Sequence, residues 1–239
     1  MKIQPVRGTH DIYGSNLILF NKIKKEIRLI AGSFGFSEII TPIFENSELF
    51  SKPLGEQSDV VLKEMYSFKD RNDSMLTLRP EYTTPIIRSA ISNNLIDKLP
   101  VKLFGIGPMF RRERPQKGRF RQFYQMNFEI LGSEDILADI ELIILADHIL
   151  KKLLPNKKIK LEINSLGDRN TLKKFKNQLS AYFNQYRKNL SEDSQKKIET
   201  NPLRILDSKS ENDIKISKGA PTIDNLYSKN AKEKFDEIQ

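Results

Sequence analysis

The sequence contains no cysteine and only two histidines, and these absences exclude several kinds of site. Without cysteine, neither a disulfide framework nor a thiolate metal site can form. His10 and His148 lie far apart and lack the spacing of metal ligands, so we predict no metal site made by protein side chains. There is no secretory signal and no apolar run long enough to span a bilayer. We therefore expect no membrane association and a cytoplasmic protein, or one in an organelle matrix after removal of a presequence.

The composition sets broader limits. A chain of 239 residues with 38% hydrophobic residues can bury the core of one large domain, or of one domain with an appendage. Its 40 basic and 31 acidic residues give a formal charge of +9, which suits an anionic partner such as a nucleic acid. Lysine, isoleucine and asparagine are abundant everywhere, so a codon bias explains the charge equally well.

Five arginines and one lysine surround a single acid between Phe110 and Phe123. The apolar segment 101–109 precedes this stretch, and 123–131 alternates polar and apolar residues, so the stretch is predicted to be the loop of a hairpin. Arginine forks match phosphate oxygens, Glu113 can accept a hydrogen bond from an amine such as that of adenine, and Phe123 can stack on the same base. A solvated basic turn is the alternative.

The outgoing strand of this hairpin has two different faces. Side chains alternate between the faces of a strand, so four mainly polar or acidic positions share one face and four mainly apolar positions share the other. The first set is Phe123, Gln125, Asn127 and Glu129, and the second is Tyr124, Met126, Phe128 and Ile130. We predict a polar pocket floor on the first face and apolar core on the second.

Several segments together resemble one enzyme family. The start Phe110-Arg111-Arg112-Glu113 and the ending Arg119 to Phe123 resemble motif 2 of class II aminoacyl-tRNA synthetases, and the continuation through Gln125 and Glu129 resembles the histidyl-tRNA synthetase version. Further matches to that family occur in the same order along the chain. They are 7–11 (the amino-terminal signature), 35–45 (motif 1), 78–83 (the amino-acid-binding turn), 161–167 and 201–209.

This resemblance implies a function and a set of site residues. The implied reaction is that of a histidine–tRNA ligase, which activates histidine with ATP and transfers it to tRNA(His), with Mg²⁺ bound through the ATP phosphates. Arg111 is the implied catalytic residue, on the α-phosphate. The other implied assignments are Glu113, Arg119 and Phe123, with Arg111, for ATP; Glu81, Tyr82, Thr83, Gln125 and Glu129, with Arg111, for histidine; and Gln116 and Lys117 for tRNA.

Periodicity predicts the scaffold around these residues. A helix is predicted from an N-cap at Ser15 to about Gly32, and in the family this helix and the following strand form a homodimer interface. A second hairpin is predicted at 65–78, a helix opened by Pro85 and reaching about Asn94, and another helix at 135–150. The Rossmann motif is absent, so the expected fold class is α+β, with a largely antiparallel class II synthetase-like sheet flanked by helices.

The chain becomes lysine-rich and helical after Gly167, with a break at 191–193. We predict a catalytic core at 1–167 that contains motifs 1 and 2, and a truncated helical insertion at 168–239. The sequence stops before any motif 3 or anticodon-binding domain, so the fold should be incomplete at its carboxyl end and the polypeptide alone should have little or no activity. Two alternatives remain open: a histidine-binding regulatory paralogue of the ATP phosphoribosyltransferase complex, and a tRNA-binding module without catalysis.

Overall fold

The computed structural model describes residues 3–54, 60–114 and 116–238. The chain divides into two compact units, 1–159 and 160–239. In the described part, no helix is both long and apolar enough to cross a membrane. The boundary predicted after Gly167, between a catalytic core and an insertion, stays a prediction. The division into units reflects only how the residues pack.

The first unit contains two small sheets and four longer helices among its described residues. One sheet has the order β1-β5-β6, with β1 parallel to β5 and β5 antiparallel to β6, and the other is an antiparallel sheet of order β2-β4-β3. The α+β class is therefore confirmed, with one parallel strand pair that was not predicted. The elements are α1 (Gly14–Ser33), β1 (Ser37–Glu38), β2 (Phe44–Asn46), α2 (Glu48–Leu54), a π-helical turn (Val60–Glu64), β3 (Tyr66–Lys69), β4 (Met75–Leu78), α3 (Thr83–Ser92), a 3₁₀ turn (Leu95–Asp97), β5 (Val101–Phe110), β6 (Gln122–Leu131) and α4 (Ile136–Leu153).

The long hairpin β5–β6 separates two apolar clusters. Its ten residue pairs run from Val101 opposite Leu131 to Phe110 opposite Gln122. On one face, Phe104 and Phe128 stack with ring centroids 5.7 Å apart and pack with α1 and α4. On the other face, Leu103 and Met109 pack with residues of α3. The predicted apolar face is thus part of the core at Phe128. Nearer the loop, Tyr124 and Met126 on the same face are 42% and 39% exposed.

Two predicted helix starts are each wrong by two residues. Helix α1 begins at Gly14 after an N-cap at Tyr13, because Gly14 has φ +58° and turns the chain sharply there, so Ser15 is already helical. Helix α3 begins at Thr83, since the carboxylate of Glu81 accepts the first N–H groups of the helix. Pro85 is therefore the third residue of the helix and does not open it.

The second unit is helical and has its own core. Buried side chains from several of its helices form one cluster around Phe175, Leu179, Phe183 and Ile198. Ser191, at the predicted break, is the N-cap of a new helix and accepts from Ser194 N. The elements are α5 (Arg169–Gln185), a 3₁₀ turn (Arg187–Asn189), α6 (Glu192–Thr200), a 3₁₀ turn (Pro202–Ile205), α7 (Glu211–Ser217), a 3₁₀ turn (Asp224–Leu226) and α8 (Lys229–Ile238).

A fully buried acid, Asp213, joins three segments of this unit. Its carboxylate accepts hydrogen bonds from Ser191 N at 2.8 Å, Ser191 Oγ at 2.6 Å, Ser194 Oγ at 2.7 Å and Ser208 Oγ at 2.7 Å. Burial raises the pKa of Asp213, but the hydrogen bonds from the three serines together outweigh burial and hold this pKa at about 2. Asp213 is therefore charged at neutral pH and ties α7 to the start of α6.

Candidate functional site

The arginine-rich loop is anchored at its base. Arg111 N donates to Arg121 O at 3.0 Å, which continues the strand pairing beyond β5 and β6. Arg112 N donates to Glu64 O at 2.7 Å, and Arg121 N donates to Gly8 O at 2.7 Å. The two ends of the loop are thus bonded to each other and to two separate segments, which would lower the entropy lost on binding a ligand.

The tip of the loop is a tight turn. Gln116 and Arg119 exchange two backbone hydrogen bonds of 3.3 and 2.9 Å, and Gly118 between them has φ +81°, which favours glycine. The predicted tRNA-binding side chains Gln116 and Lys117 are exposed. Pro115, the middle residue of the Arg-Pro-Gln sequence, lies outside the described residues.

Arg111 points back from the loop to the turn that precedes α3. Its Nε donates to Pro80 O at 2.8 Å, and its guanidinium carbon lies 5.2 Å from the ring centroid of Phe123. Phe110 N, one residue earlier, donates to Arg79 O at 3.0 Å. The Nε bond uses one of the five N–H donors of the guanidinium, so the rest of the fork can serve phosphate oxygens. The predicted catalytic arginine is held beside the predicted amino-acid-binding turn.

Two predicted ATP-binding residues, Glu113 and Arg119, are paired with each other. Arg119 Nη1 lies 3.3 Å from Glu113 Oε2, with the arginine side chain 58% exposed and the glutamate side chain 17% exposed. This contact lacks hydrogen-bond geometry, and among the described residues the buried Oε2 accepts no hydrogen bond. Glu113 thus keeps an unused acceptor beside a cation, although an exposed ion pair of this kind adds little stability.

The predicted pocket floor is the row Gln125, Asn127 and Glu129 on β6. Asn127 Nδ2 donates to Glu129 Oε1 and to Thr83 Oγ1, both at 2.8 Å, so the strand is bonded to the first residue of α3. Within the part of the chain that is described, Gln125 Oε1 is buried and has no hydrogen-bond partner. A buried acceptor without a donor costs free energy, so a ligand donor at this position would stabilise the protein.

Glu81 caps helix α3. Its Oε2 accepts from Thr83 N at 2.7 Å and its Oε1 accepts from Thr84 N at 3.0 Å. Each carboxylate oxygen can accept a second hydrogen bond, so the cap does not prevent ligand binding. Tyr82 is fully buried, and its hydroxyl donates to Ile39 O at 3.4 Å. Of the predicted histidine-binding residues, Tyr82 is thus the one whose side chain packs in the core beneath the pocket.

A buried arginine beneath the site was not singled out from sequence. Arg79 is 2% exposed and donates to Pro108 O at 2.9 Å, to Thr41 O at 2.9 Å and Thr41 Oγ1 at 3.1 Å, and to Pro42 O at 3.3 Å. Its guanidinium carbon lies 4.3 Å from the ring centroid of Tyr82. The hydrogen bonds to these carbonyl oxygens therefore offset the free-energy cost of burying the charged guanidinium. Arg79 fixes the backbone that carries Pro80 and Glu81.

Two glycines of β5 make room for Arg79 and Tyr82. A Cβ on Gly107 would lie 2.2 Å from Arg79 Nη2, and a Cβ on Gly105 would lie 2.4 Å from Tyr82 Cε1. The alternation Gly105-Ile106-Gly107 inside a predicted strand is the sequence signal, because glycine in a strand interior marks a close approach of other atoms. The candidate site is thus built from β6, the arginine-rich loop, and the turn 79–82, which packs against the glycines of β5.

A family model described as histidyl-tRNA synthetase matches residues 8–201. The chain belongs to the histidyl-tRNA synthetase family. Among its relatives, the histidine–tRNA ligase of Wolbachia pipientis wMel is 50% identical over 238 residues, which cover 100% of this chain and 58% of the relative. The corresponding ligase of Ehrlichia chaffeensis is 50% identical over 237 residues, or 99% of this chain and 57% of the relative. The chain therefore spans a little over half the length of these relatives.

Solved structures agree with the family assignment and confirm the fold. The apo histidyl-tRNA synthetase of S. aureus matches with a TM-score of 0.77 and 30% identity, over 99% of this chain and 53% of that protein. A Bacillus halodurans protein titled ATP phosphoribosyltransferase regulatory subunit/histidyl-tRNA synthetase matches with a TM-score of 0.65 and 19% identity, over 100% of this chain and 66% of that protein. At that identity, the second match shows the shared fold alone.

Proposed function

We propose that this chain forms the ATP- and histidine-binding part of a histidine–tRNA ligase. The observation that carries the proposal is the buried Gln125 Oε1, which has no donor among the described residues and lies on the same strand face as the carboxylate of Glu129. An unpaired acceptor on the same strand face as a carboxylate suits a cationic, hydrogen-bond-donating ligand such as histidine. The 50% identity to ligases of that specificity supports the same assignment.

The proposed reaction begins with the carboxylate of histidine attacking the α-phosphorus of ATP. A new bond forms between the carboxylate oxygen and phosphorus, the bond to the bridging oxygen breaks, and pyrophosphate leaves with that electron pair. Negative charge grows on the phosphate oxygens, and Arg111, preorganised by its bond to Pro80 O, would stabilise it. Arg119 would hold the outer phosphates, while Glu113 and Phe123 would seat the adenine. A hydroxyl of the terminal ribose of tRNA(His) would then attack the acyl carbon and lose its proton, an ester bond would form, and AMP would leave with the electron pair of the broken acyl–oxygen bond.

Magnesium would be held mainly through the ATP phosphates. Among the described residues, no group of three or more histidine or acidic side chains is close enough to hold a metal ion. Glu113 is the carboxylate of the loop, and it faces Arg119. This donor set fits a cation that keeps most of its ligands from phosphate and water, and the bound Mg²⁺ would neutralise charge on the leaving pyrophosphate.

Histidine recognition would divide between two groups of residues. Glu81, Thr83 and Gln125 would accept from the ammonium group, and Glu129 would accept from the imidazole N–H. An apolar analogue would leave Glu129 Oε2 desolvated and without a donor, which is a strong basis for rejection. Tyr82 would support the turn that carries Glu81 through its contact with Arg79.

The proposal extends to partners and location. The exposed Gln116 and Lys117 at the loop tip would contact the acceptor end of tRNA. Helix α1 exposes Ile18 at 72% and Leu29 at 60%, and such apolar exposure supports a homodimer through the motif 1 region. We propose a cytoplasmic location, and a core at 1–167 with a helical insertion at 168–239.

Calorimetric titration with histidinol, ATP and Mg²⁺ tests the proposal. Specific binding that Glu129→Gln weakens would support it. Histidinol binding without ATP binding would favour the regulatory paralogue, and salt-dependent tRNA binding without either ligand would favour the tRNA-binding module. Failure of a chain with native circular dichroism to bind any of these ligands would reject the proposed sites in this polypeptide.

A further inference from the structure

Asn127 occupies the middle of the pocket floor, and neither the sequence motifs nor the comparisons assign it a role. It lies on β6 directly opposite Gly105 of β5, so no side chain faces it from the paired position. The space above Gly105 is filled by the ring of Tyr82, which packs in the core. Asn127 is therefore the polar side chain at the point where β6 meets the start of α3.

The amide of Asn127 connects three predicted histidine-binding residues. Its Nδ2 donates one hydrogen to Thr83 Oγ1 and the other to Glu129 Oε1, each over 2.8 Å. Thr83 N in turn donates to Glu81 Oε2 at 2.7 Å. One continuous hydrogen-bonded series thus runs from Glu81 through Thr83 and Asn127 to Glu129. Both hydrogens of the amide are used, so its donor capacity is complete.

The chemistry of the acceptors determines the orientation of this amide. An ionised carboxylate can only accept, so the NH₂ group of Asn127, and not its carbonyl, must face Glu129. The bond holds Glu129 Oε1 and leaves Oε2 as the oxygen free for a ligand. Thr83 Oγ1 receives one donor from Asn127 and keeps one lone pair for a ligand ammonium.

We propose that Asn127 is a positioning residue that determines specificity, because it directs Glu129 Oε2 toward a ligand N–H. This inference depends on the proposed function, since it assigns an orientation to the carboxylate that would read the imidazole. A ligand ring without an N–H would leave that fixed oxygen unpaired. If Glu129 were free to rotate away, the penalty for such a ligand would fall and discrimination would weaken.

The test compares binding of histidinol with binding of phenylalaninol, which lacks a ring N–H, in the full chain and in Asn127→Asp. The substitution keeps the shape but places an oxygen where the donor stood, so two carboxylates face each other and Glu129 Oε1 loses its hydrogen bond. We expect the histidinol preference to fall at least about tenfold. Asn127→Ala, which removes the donor without adding charge, should lower it about threefold.

Asn230→Asp is the matched control, because Asn230 is exposed on α8 and the charge change is the same. It should leave the preference unchanged. A purely structural lesion would weaken the binding of both ligands equally, whereas loss of positioning lowers the ratio of the two affinities. A preference retained in both Asn127 variants would overturn the inference.

A second measurement separates this inference from the proposed function. If the unmodified chain itself shows no preference for histidinol, the proposed function fails in this polypeptide. Hydrogen exchange of the side-chain amides by NMR then decides the role of Asn127. Exchange of its amide much slower than that of Asn230 would support the hydrogen-bonded series, and exchange equally fast would overturn it.

Discussion

Asp213 in the second unit and the candidate site in the first unit both bury polar atoms, but they differ in whether those oxygen atoms accept hydrogen bonds. In the second unit, the carboxylate of Asp213 accepts four hydrogen bonds from three serines. In the first unit, Gln125 Oε1 and Glu113 Oε2 are buried and accept none from the described residues. A buried acceptor that receives all of its hydrogen bonds stabilises the fold. A buried acceptor without a donor lowers the stability of the fold until a ligand donates to it. This is the difference expected between a structural acid and the proposed binding site.

The largest expected effect is on the saturated acid. Asp213→Asn should lower the free energy of unfolding by about 2–3 kcal/mol, because an NH₂ group would face serine hydroxyls that now donate to a carboxylate. Urea denaturation measures the loss, and hydrogen exchange should locate it in 191–217. Asp236→Asn is the control, since Asp236 is exposed in the same unit. A loss below about 0.5 kcal/mol would show that the serine contacts are not stabilising.

The same acid predicts a pH dependence. Its pKa is about 2 in the folded chain, against 3.8 for an unperturbed aspartate, so the unfolded chain binds more protons between these values. The stabilisation, on the order of 1–2 kcal/mol, is therefore complete above about pH 5 and is lost as the pH falls toward 2. Unfolding experiments between pH 6 and 2 should show a smaller acid loss in Asp213→Asn.

Asp168 must be controlled in that experiment. Hydrogen bonds from Ser228 and Thr171 also lower its pKa to about 2, so it loses charge over the same pH range. Comparing Asp168→Asn with Asp213→Asn separates the two contributions. Identical acid profiles for Asp213→Asn and the unmodified chain would contradict the assignment to Asp213.

A smaller effect is expected beneath the binding site. Gly107→Ala places a Cβ 2.2 Å from Arg79 Nη2, and that guanidinium is buried and bonded to three backbone carbonyls. We expect a loss of about 1–2 kcal/mol and weaker ATP binding through displacement of Pro80 and Arg111. Gly32→Ala in α1 is the matched control: no atom lies within 4 Å of its Cβ, so it should be neutral or stabilising. Equal effects of the two substitutions would refute the steric argument.

Local patterns accounted for much of the fold and of the site. The hairpin 101–131 and its two faces were predicted from polar and apolar residues that alternate along the chain. This alternation can be read from neighbouring residues without knowledge of the fold. The turn around Glu81 and the arginine-rich loop were recognisable from short segments. The cap that Glu81 makes was not predicted, and that local hydrogen bonding moved the start of α3 to Thr83.

The contacts that could not be predicted join residues distant in sequence. Arg79 meets Thr41 and Pro108, and Asn127 meets Thr83, over separations of 29 to 44 residues. Asp213 gathers serines from separate segments that share no periodic pattern. Such pairings depend on how elements pack, which a single sequence does not specify locally.

The smallest stability effect should have the opposite sign. Gln125→Leu replaces a buried, unpaired oxygen on β6 with apolar atoms of similar size, so the chain should become more stable by up to about 1 kcal/mol. Histidinol binding should weaken at the same time, because one of the three proposed acceptors for its ammonium group is gone. Thermal melting and calorimetry measure the two changes together. A destabilised Gln125→Leu chain would contradict the view that Gln125 Oε1 is unpaired, whereas a stabilised chain that binds histidinol more weakly would show that the unpaired oxygen on β6 is retained for the ligand.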